Sequence, residues 1–159
     1  MLNKTLAFFT CLVLVMLTAG CIQQANQAQT KRMQDPRCEG TADCFYGNVS
    51  RILDGDTIEV DGDSVRLVLV AAPETYEQGG AEATSFIAQN CPVGSEVLVD
   101  QDDWQMHDDY GRMLAVVWCN GKRVNEESIE QGFSDVYRIF CSQSEFGDDE
   151  WAVKLGCSE

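Results

Sequence analysis

The sequence predicts a small, β-rich α+β domain, and three observations support this. Short segments of alternating polar and apolar residues recur between Asn48 and Trp118, as expected of half-buried strands. Asp-Gly, Gly-Asp and Asn-Gly pairs lie between them, and such pairs favour tight turns because Gly accepts a positive φ. Three segments have the features of helices, and the first of these interrupts the run of strands.

The five predicted strands cover residues 48–53, 57–60, 64–70, 96–100 and 113–118. Thr57 to Val60 alternates polar and apolar residues, whereas Val65 to Val70 is almost wholly apolar. Arg66 is the one charge in that apolar run, so it needs an anionic partner or a solvent-facing side. Asn120-Gly121, directly after the fifth strand, predicts a hairpin.

The first helix is predicted from Gly80 to Asn90, because its apolar residues recur at helical spacing and Pro92 follows it. A second helix is predicted to begin near Asn125, a residue suited to capping, and to end before Gly132. A third, short helix is predicted around 148–155.

Residues 1–20 have the cationic start, apolar segment and small terminal residues of a signal peptide. The apolar segment is shorter than the about 20 residues that a membrane span needs. Ala19-Gly20-Cys21 resembles the lipobox of prokaryotic lipoproteins, so we expect lipidation of Cys21. The expected location is therefore the outer face of the cell membrane, reached through a lipid anchor, or the medium after secretion.

Residues 21–42 are rich in Gln, Asn and Ala and contain almost no large apolar side chain. Such a segment buries too little surface to fold, so it is predicted to be a flexible tether. The folded domain is then expected to cover 43–159, a length suited to one hydrophobic core.

The chain has 26 acidic and 11 basic residues and a formal net charge of −15 at pH 7. This charge opposes binding to nucleic acid, because affinity for phosphate comes from cations that displace counterions. An acidic, solubilising surface still permits a local cationic pocket. Binding of a polyanion is therefore expected to be weak and sensitive to salt.

Six cysteines lie beyond Cys21, and an even number in an exported domain predicts three disulfides. No Cys-x-x-Cys pair is present, which argues against a zinc site. Six cysteines allow fifteen pairings. We favour the pairs Cys38 with Cys44, Cys91 with Cys119, and Cys141 with Cys157, since Cys91 and Cys119 end a predicted helix and a predicted strand at one edge of the domain.

Four motifs occur in order along the chain: Asp-Gly-Asp-Thr at 54–57, Val-Arg-Leu at 65–67, Ala-Pro-Glu at 72–74 and Tyr-Gly-Arg at 110–112. In their order and spacing, from about Gly47 to Tyr137, the chain resembles the staphylococcal nuclease (thermonuclease) family, here in a secreted lipoprotein form. The resemblance implies an OB-fold, a five-stranded Greek-key barrel, with about three helices packed on it.

The resemblance also implies a phosphodiester hydrolase that acts on DNA or RNA with one Ca²⁺ ion. By motif, Arg66 and Arg112 would clamp the scissile phosphate, because guanidinium forks match phosphate oxygens. Glu74 would activate the attacking water as a general base. The hydroxyl of Tyr110 would contact a substrate phosphate.

Asp56 and the backbone carbonyl of Ala72 would ligate the metal. Two positions depart from the family pattern. Ala71 stands where a second metal-binding carboxylate is usual, and Asp109 stands where a basic residue is common. The metal site is therefore expected to be weakened, since calcium affinity falls as the charge of its ligands falls.

Two hypotheses remain open. The first is a secreted or membrane-tethered nuclease, which the intact set of Arg66, Glu74 and Arg112 favours. The second is a non-catalytic OB-fold module that binds nucleic acid or a protein partner of unknown identity, which Ala71 and the net charge favour. The acidic loop at 102–109 is either solvated surface or a source of replacement metal ligands.

Overall fold

The computed structural model describes residues 35–157, and its compact unit begins at Arg37. The predicted signal peptide, Cys21 and most of the predicted tether lie outside the described residues. Across residues 35–157, every helix is too short or too polar to cross a membrane.

Within the described residues, eight strands form in chain order: β1 Cys44–Ile52, β2 Thr57–Val60, β3 Asp63–Leu67, β4 Val70–Ala71, β5 Glu96–Gln101, β6 Met113–Cys119, β7 Lys122–Arg123 and β8 Asp135–Val136. The described helices are α1 Gly80–Asn90, α2 Val124–Glu130 and α3 Glu150–Ala152. Two 3₁₀ segments, Arg138–Gln143 and Glu145–Asp148, precede α3, and a π turn, Val153–Cys157, follows it.

The main sheet has the strand order β3-β2-β1-β5-β6-β7 and closes through a parallel pairing of β3 with β6. Five strands therefore form a closed barrel, and β7 extends beyond it through the predicted hairpin. Asn120 and Gly121 at this turn have φ values of 52° and 79°, as a two-residue hairpin loop requires. The predicted OB-like barrel with about three helices is confirmed.

Alternation along the strands divides the apolar residues between two cores. One face of the strands fills the barrel, with Val49, Ile58 and Val117 at most 1% exposed, and α1 adds Phe86 and Ile87 to the same cluster. The second core lies outside the barrel. It packs Phe146 and Trp151 from the C-terminal segment against Val68, Leu114 and Val116. The C-terminal segment is thereby fixed to the outside of β6.

The prediction of one strand over 64–70 is wrong. The strand β3 ends at Leu67, and Leu69 has a φ of 62°, which reverses the chain direction locally. Val70 and Ala71 then form a separate strand, which pairs with β8. The buried surroundings of Leu69, 3% exposed, hold this uncommon conformation.

The prediction that Asn125 caps α2 is wrong. Asn125 lies inside the helix and is completely buried. Its Oδ1 accepts a hydrogen bond from Val117 N, and its Nδ2 donates to the carbonyls of Val68 and Ala115. One side chain thus joins α2, the barrel seam and the turn after β3. It fixes the path of the chain toward β4.

Three disulfides form in the part of the chain that the structure describes, Cys38–Cys44, Cys91–Cys119 and Cys141–Cys157, and these are the three predicted pairs. They join the N-terminal segment to β1, the end of α1 to the end of β6, and the first 3₁₀ segment to the π turn.

A group of five carboxylates, here called the acidic clasp, holds the segment before β1 against the end of β5. Its members are Glu39, Asp100, Asp102, Asp103 and Glu145. Asp100 accepts a hydrogen bond from Glu39 N at 2.8 Å, and Asp103 accepts hydrogen bonds from the amides of Thr41 and Ala42. No member forms an ion pair within the described range. Backbone amides are thus the main partners of these charges.

Candidate active site

A cavity of about 520 Å³ opens where β3, β4 and the loop before β6 meet. Its polar wall contains Asp54, Arg66, Glu74, Asp108, Asp109, Tyr110 and Arg112, and its apolar wall contains Leu69, Leu114, Tyr137 and Phe140 among others. The structure therefore brings together four of the predicted residues, Arg66, Glu74, Tyr110 and Arg112. Asp56 and Ala72 lie directly behind the cavity wall, in contact with each other.

Arg66 and Arg112 lie near each other because of the parallel pairing of β3 with β6 that closes the barrel. Arg66 in β3 lies opposite Leu114 in β6, and Arg112 directly precedes β6. Residues distant in the sequence are thus placed on adjacent strands. The alternation of β3 directs Arg66 away from the barrel core that Val65 and Leu67 fill.

Arg66 has the anionic partner that its place in an apolar strand required. Its Nη1 donates to Asp56 Oδ1 at 2.6 Å, and its Nη2 donates to the carbonyl of Val70 at 3.4 Å. Asp56 is 5% exposed and also accepts hydrogen bonds from Thr57 Oγ1 at 3.0 Å and Ala72 N at 3.2 Å. Burial raises the pKa of Asp56, although Arg66 opposes this effect.

Arg112 is oriented by Asp108, four residues earlier. The Asp108 carboxylate accepts hydrogen bonds from Arg112 Nε at 2.7 Å and from the Arg112 amide at 3.0 Å, and it forms an ion pair with Nη2 at 2.6 Å. Burial would raise the pKa of Asp108, but hydrogen bonds from Arg112 and the Tyr110 amide outweigh it and hold the pKa below its usual range.

Thr57 connects the two ion pairs. Its hydroxyl donates to Asp56 and accepts a hydrogen bond from Arg112 Nη1 at 3.4 Å. Asp108 and Thr57 are contacts that the sequence reasoning missed. The four-residue spacing of Asp108 and Arg112 was the one available signal, and it was obscured by three other aspartates in the same loop.

Glu74 and Tyr110 are exposed at the cavity rim. The backbone of Glu74 is fixed from two sides, because its amide donates to Glu77 Oε2 at 3.0 Å and its carbonyl packs against Gly80. A Cβ at position 80 would collide with that carbonyl oxygen, so only glycine permits α1 to begin here. Tyr110 is 86% exposed, and its ring centroid lies 5.3 Å from Arg112 Cζ.

Asp54 and Asp56 supply the type of oxygen atom that a hard divalent cation binds, and both oxygens of Asp56 already accept hydrogen bonds. Asp54 lines the cavity, Asp56 is linked to it through a hydrogen bond from Asp56 N to Asp54 Oδ1, and Ala72 adjoins Asp56. Carboxylate and carbonyl oxygens are the ligands that Ca²⁺ prefers. A second group of potential ligands within the described residues, Cys38, Cys44 and Asp100, lies in the acidic clasp, where the two sulfur atoms form a disulfide.

A model of the staphylococcal nuclease homologue family matches residues 64–152. The endonuclease YncB of Bacillus subtilis (strain 168) is 30% identical over 109 residues, which cover 63% of this chain and 52% of the relative. The thermonuclease of Staphylococcus hyicus is 34% identical over 96 residues, which cover 54% and 56%.

An uncharacterized endonuclease of Escherichia coli O157:H7 is 36% identical over 101 residues, which cover 60% of this chain and 63% of the relative. The chain therefore spans only about half to two thirds of the length of these relatives.

Proposed function

The chain belongs to the staphylococcal nuclease family, and from this premise we propose that it hydrolyses phosphodiester bonds of DNA or RNA with the help of calcium. One observation carries the proposal: Arg66, Glu74 and Arg112 line a single cavity, although they come from three different elements. A phosphate in this cavity would meet two guanidinium groups and one free carboxylate.

The two arginines would bind the non-bridging oxygens of the scissile phosphate. A guanidinium group has five N–H donors, so Arg66 and Arg112 can keep their carboxylate partners and still donate to phosphate. Asp56, Asp108 and Thr57 hold the two planar groups in place before substrate arrives. Donors fixed in advance stabilise the added negative charge of the transition state without reorganisation.

Glu74 would accept a proton from the water whose oxygen attacks phosphorus, and the leaving oxygen would take a proton from solvent. Within the described residues, no side chain binds the Glu74 carboxylate, so it is available as a general base. Tyr110, at the open rim, would contact a neighbouring phosphate.

Asp56 and the carbonyl of Ala72 would hold the Ca²⁺ ion, with Asp54 nearby. When bound, the ion would supply positive charge that polarises the phosphate. Cation binding at Asp56 would compete with Arg66 for the same oxygen. Together with Ala71, which has no carboxylate, this competition supports a weak calcium site.

The test is plasmid nicking and release of acid-soluble nucleotides at varied calcium concentrations. We expect wild-type protein to cut and Glu74→Gln to lose at least about two orders of magnitude in rate, the scale of a general base. Glu96→Gln, an exposed carboxylate of β5, is the matched control and should retain full activity. The proposal fails if wild-type protein cuts at no calcium concentration.

Ala71 and the surrounding acidic residues also favour the second candidate, a non-catalytic OB-fold module. If the protein is such a module, the wild-type protein should bind a labelled oligonucleotide without cleaving it. A protein partner would be indicated if neither cutting nor oligonucleotide binding occurred.

We also propose that Cys21 carries a lipid anchor that holds the domain at the outer face of the cell membrane. Cys21→Ser should then move the protein from the membrane fraction to the soluble exported fraction. Unchanged membrane partition of this variant would contradict the anchor.

A further inference from the structure

We propose that Asp135 is an additional cation ligand of the candidate active site and supplies the carboxylate that Ala71 cannot. The inference rests on the proposed function, because it concerns the divalent cation of that site. It names a residue far from the four sequence motifs, on a strand that the sequence did not predict.

The pairing of β4 with β8 places Asp135 directly opposite Ala71. Directly opposed residues of an antiparallel pair point to the same face, with Cβ atoms about 4.5–5.5 Å apart. Val70, the preceding residue of β4, is completely buried in the barrel core. Since successive side chains alternate between faces, Ala71 and Asp135 share the face away from that core.

The backbone next to Ala71 adjoins Asp56. The amide of Ala72 donates to Asp56 Oδ2 at 3.2 Å, so the peptide that follows Ala71 touches the carboxylate. The turn that carries Asp56 also packs against the side chain of Ala72. A Cβ at Gly55 would lie only 2.8 Å from Ala72 Cβ. Asp135 is therefore one strand away from the proposed cation ligands.

The chain beyond Asp135 leads into the cavity. Tyr137 N donates to the carbonyl of Leu69 at 2.9 Å, which continues the pairing of the two segments by one step. Tyr137 lines the cavity. Tyr137 therefore borders the cavity two residues after Asp135, while Asp135 itself lies beside Ala71 and outside the lining residues.

The carboxylate of Asp135 is also available to bind a cation. It is exposed, and no hydrogen bond or ion pair involves its carboxylate among residues 35–157. In contrast, Asp56 is held by Arg66, and Asp108 is held by Arg112. A short, exposed side chain has the rotational freedom to turn toward a cation. Calcium affinity increases with the number of charged ligands, so this carboxylate would strengthen the site.

The experiment measures Ca²⁺ binding by isothermal titration calorimetry on the full chain, which does not depend on turnover. Asp135→Asn should weaken binding about tenfold, in line with the effect of ligand charge on calcium affinity. The double variant Ala71→Asp/Asp135→Asn moves the carboxylate to the opposite strand and should restore the affinity. Asp63→Asn, an exposed aspartate at the start of β3, is the matched control and should bind as wild type does.

Ala71→Asp alone should bind calcium more tightly than wild type and have a lower Tm without calcium, because two carboxylates would then face each other directly. Equal affinity of wild type and Asp135→Asn would overturn the inference, and cleavage by wild-type protein would show that the proposed function still stands. Absence of any calcium binding by wild-type protein would also overturn the inference about Asp135. The cleavage assay would then test the proposed function separately.

Discussion

The candidate active site and the acidic clasp both contain buried carboxylates, but they stabilise these charges by different means. At the site, guanidinium groups are the partners, as in Asp56 with Arg66 and Asp108 with Arg112. In the clasp, backbone amides are the partners, as in Asp100 with the amide of Glu39. A guanidinium group has spare donors for a ligand, whereas a backbone amide has one. The site is therefore suited to binding an anion, and the clasp is suited to holding the chain.

The protonation of the two regions differs accordingly. Hydrogen bonds from Arg112 and Tyr110 lower the pKa of Asp108 in spite of its burial. Burial, together with Glu145, Glu39 and Asp103, raises the pKa of Asp100 to about 7. Near neutral pH, Asp108 thus keeps its charge, while Asp100 in the clasp binds and releases a proton.

The largest expected effect is at the arginines. Arg66→Ala or Arg112→Ala should reduce the cleavage rate by at least about two orders of magnitude, the usual cost of losing a transition-state donor. Arg112→Lys keeps the charge but loses the planar fork, so it should remain strongly impaired. Arg51→Ala is the control, since Arg51 is a surface residue paired with Glu59 at 2.9 Å. Near-normal cleavage rates for both alanine variants would contradict the view that the guanidinium groups of the site bind an anion.

The next effect concerns the clasp and pH. The pKa of Asp100 is about 7 in the folded state, against about 3.9 in the unfolded chain. The folded state therefore binds more protons between these values, and the free energy of unfolding should fall as pH rises from about 4 to about 7. The expected loss is on the order of 2 kcal/mol after screening by water is allowed for. Burial also raises the pKa values of Glu39 and Glu145. These two residues should therefore add to the fall in the free energy of unfolding as pH rises.

Urea unfolding at several pH values from 4.5 to about 8 measures this slope. Asp100→Asn should flatten it, while Asp43→Asn, an exposed neighbour, should leave it unchanged. Hydrogen bonds lower the pKa of Asp103. Its carboxylate therefore loses its stabilising contribution only at more acidic pH. A slope that is equally steep in Asp100→Asn would show that the clasp is not the source.

The smallest effect separates two neighbouring aspartates. Asp108→Asn should lower kcat about tenfold, because Arg112 would lose its charged partner and its fixed orientation. Asp109→Asn should change kcat less than about twofold and lower KM, because it removes a repelling charge from the cavity wall. Steady-state kinetics of both variants on one oligonucleotide provide the comparison. Equal effects of the two changes would mean that Asp108 contributes only charge.

The fold was largely predictable because its evidence is local. Strict alternation in Thr57 to Val60 and helical spacing in Gly80 to Asn90 depend on adjacent residues, and both elements have the predicted bounds. The lone charge of Arg66 in an apolar run predicted an anionic partner or a solvent-facing side, and the structure provides the anionic partner Asp56. The Cys91–Cys119 pair also followed from the predicted ends of a helix and a strand.

What the sequence did not reveal depends on contacts between distant segments. The positive φ of Leu69 has no signal in composition, so the break between β3 and β4 was missed. The pairing of Ala71 with Asp135 involves a two-residue strand, too short to show a pattern. Asn125 has the composition of a cap but the environment of a core residue, because its partners lie on other elements.

The parallel seam between β3 and β6 makes the order of folding events relevant to activity. Its pairs, such as Val65 with Met113 and Leu67 with Ala115, join residues that are far apart in the chain. Contacts of this kind form slowly, because the intervening loop must close before they gain any stabilisation. Arg66 and Arg112 lie on opposite sides of the seam. A chain whose barrel has not yet closed therefore carries both arginines but cannot form the proposed phosphate clamp. If the proposed cleavage occurs, its appearance during refolding would report the moment of closure.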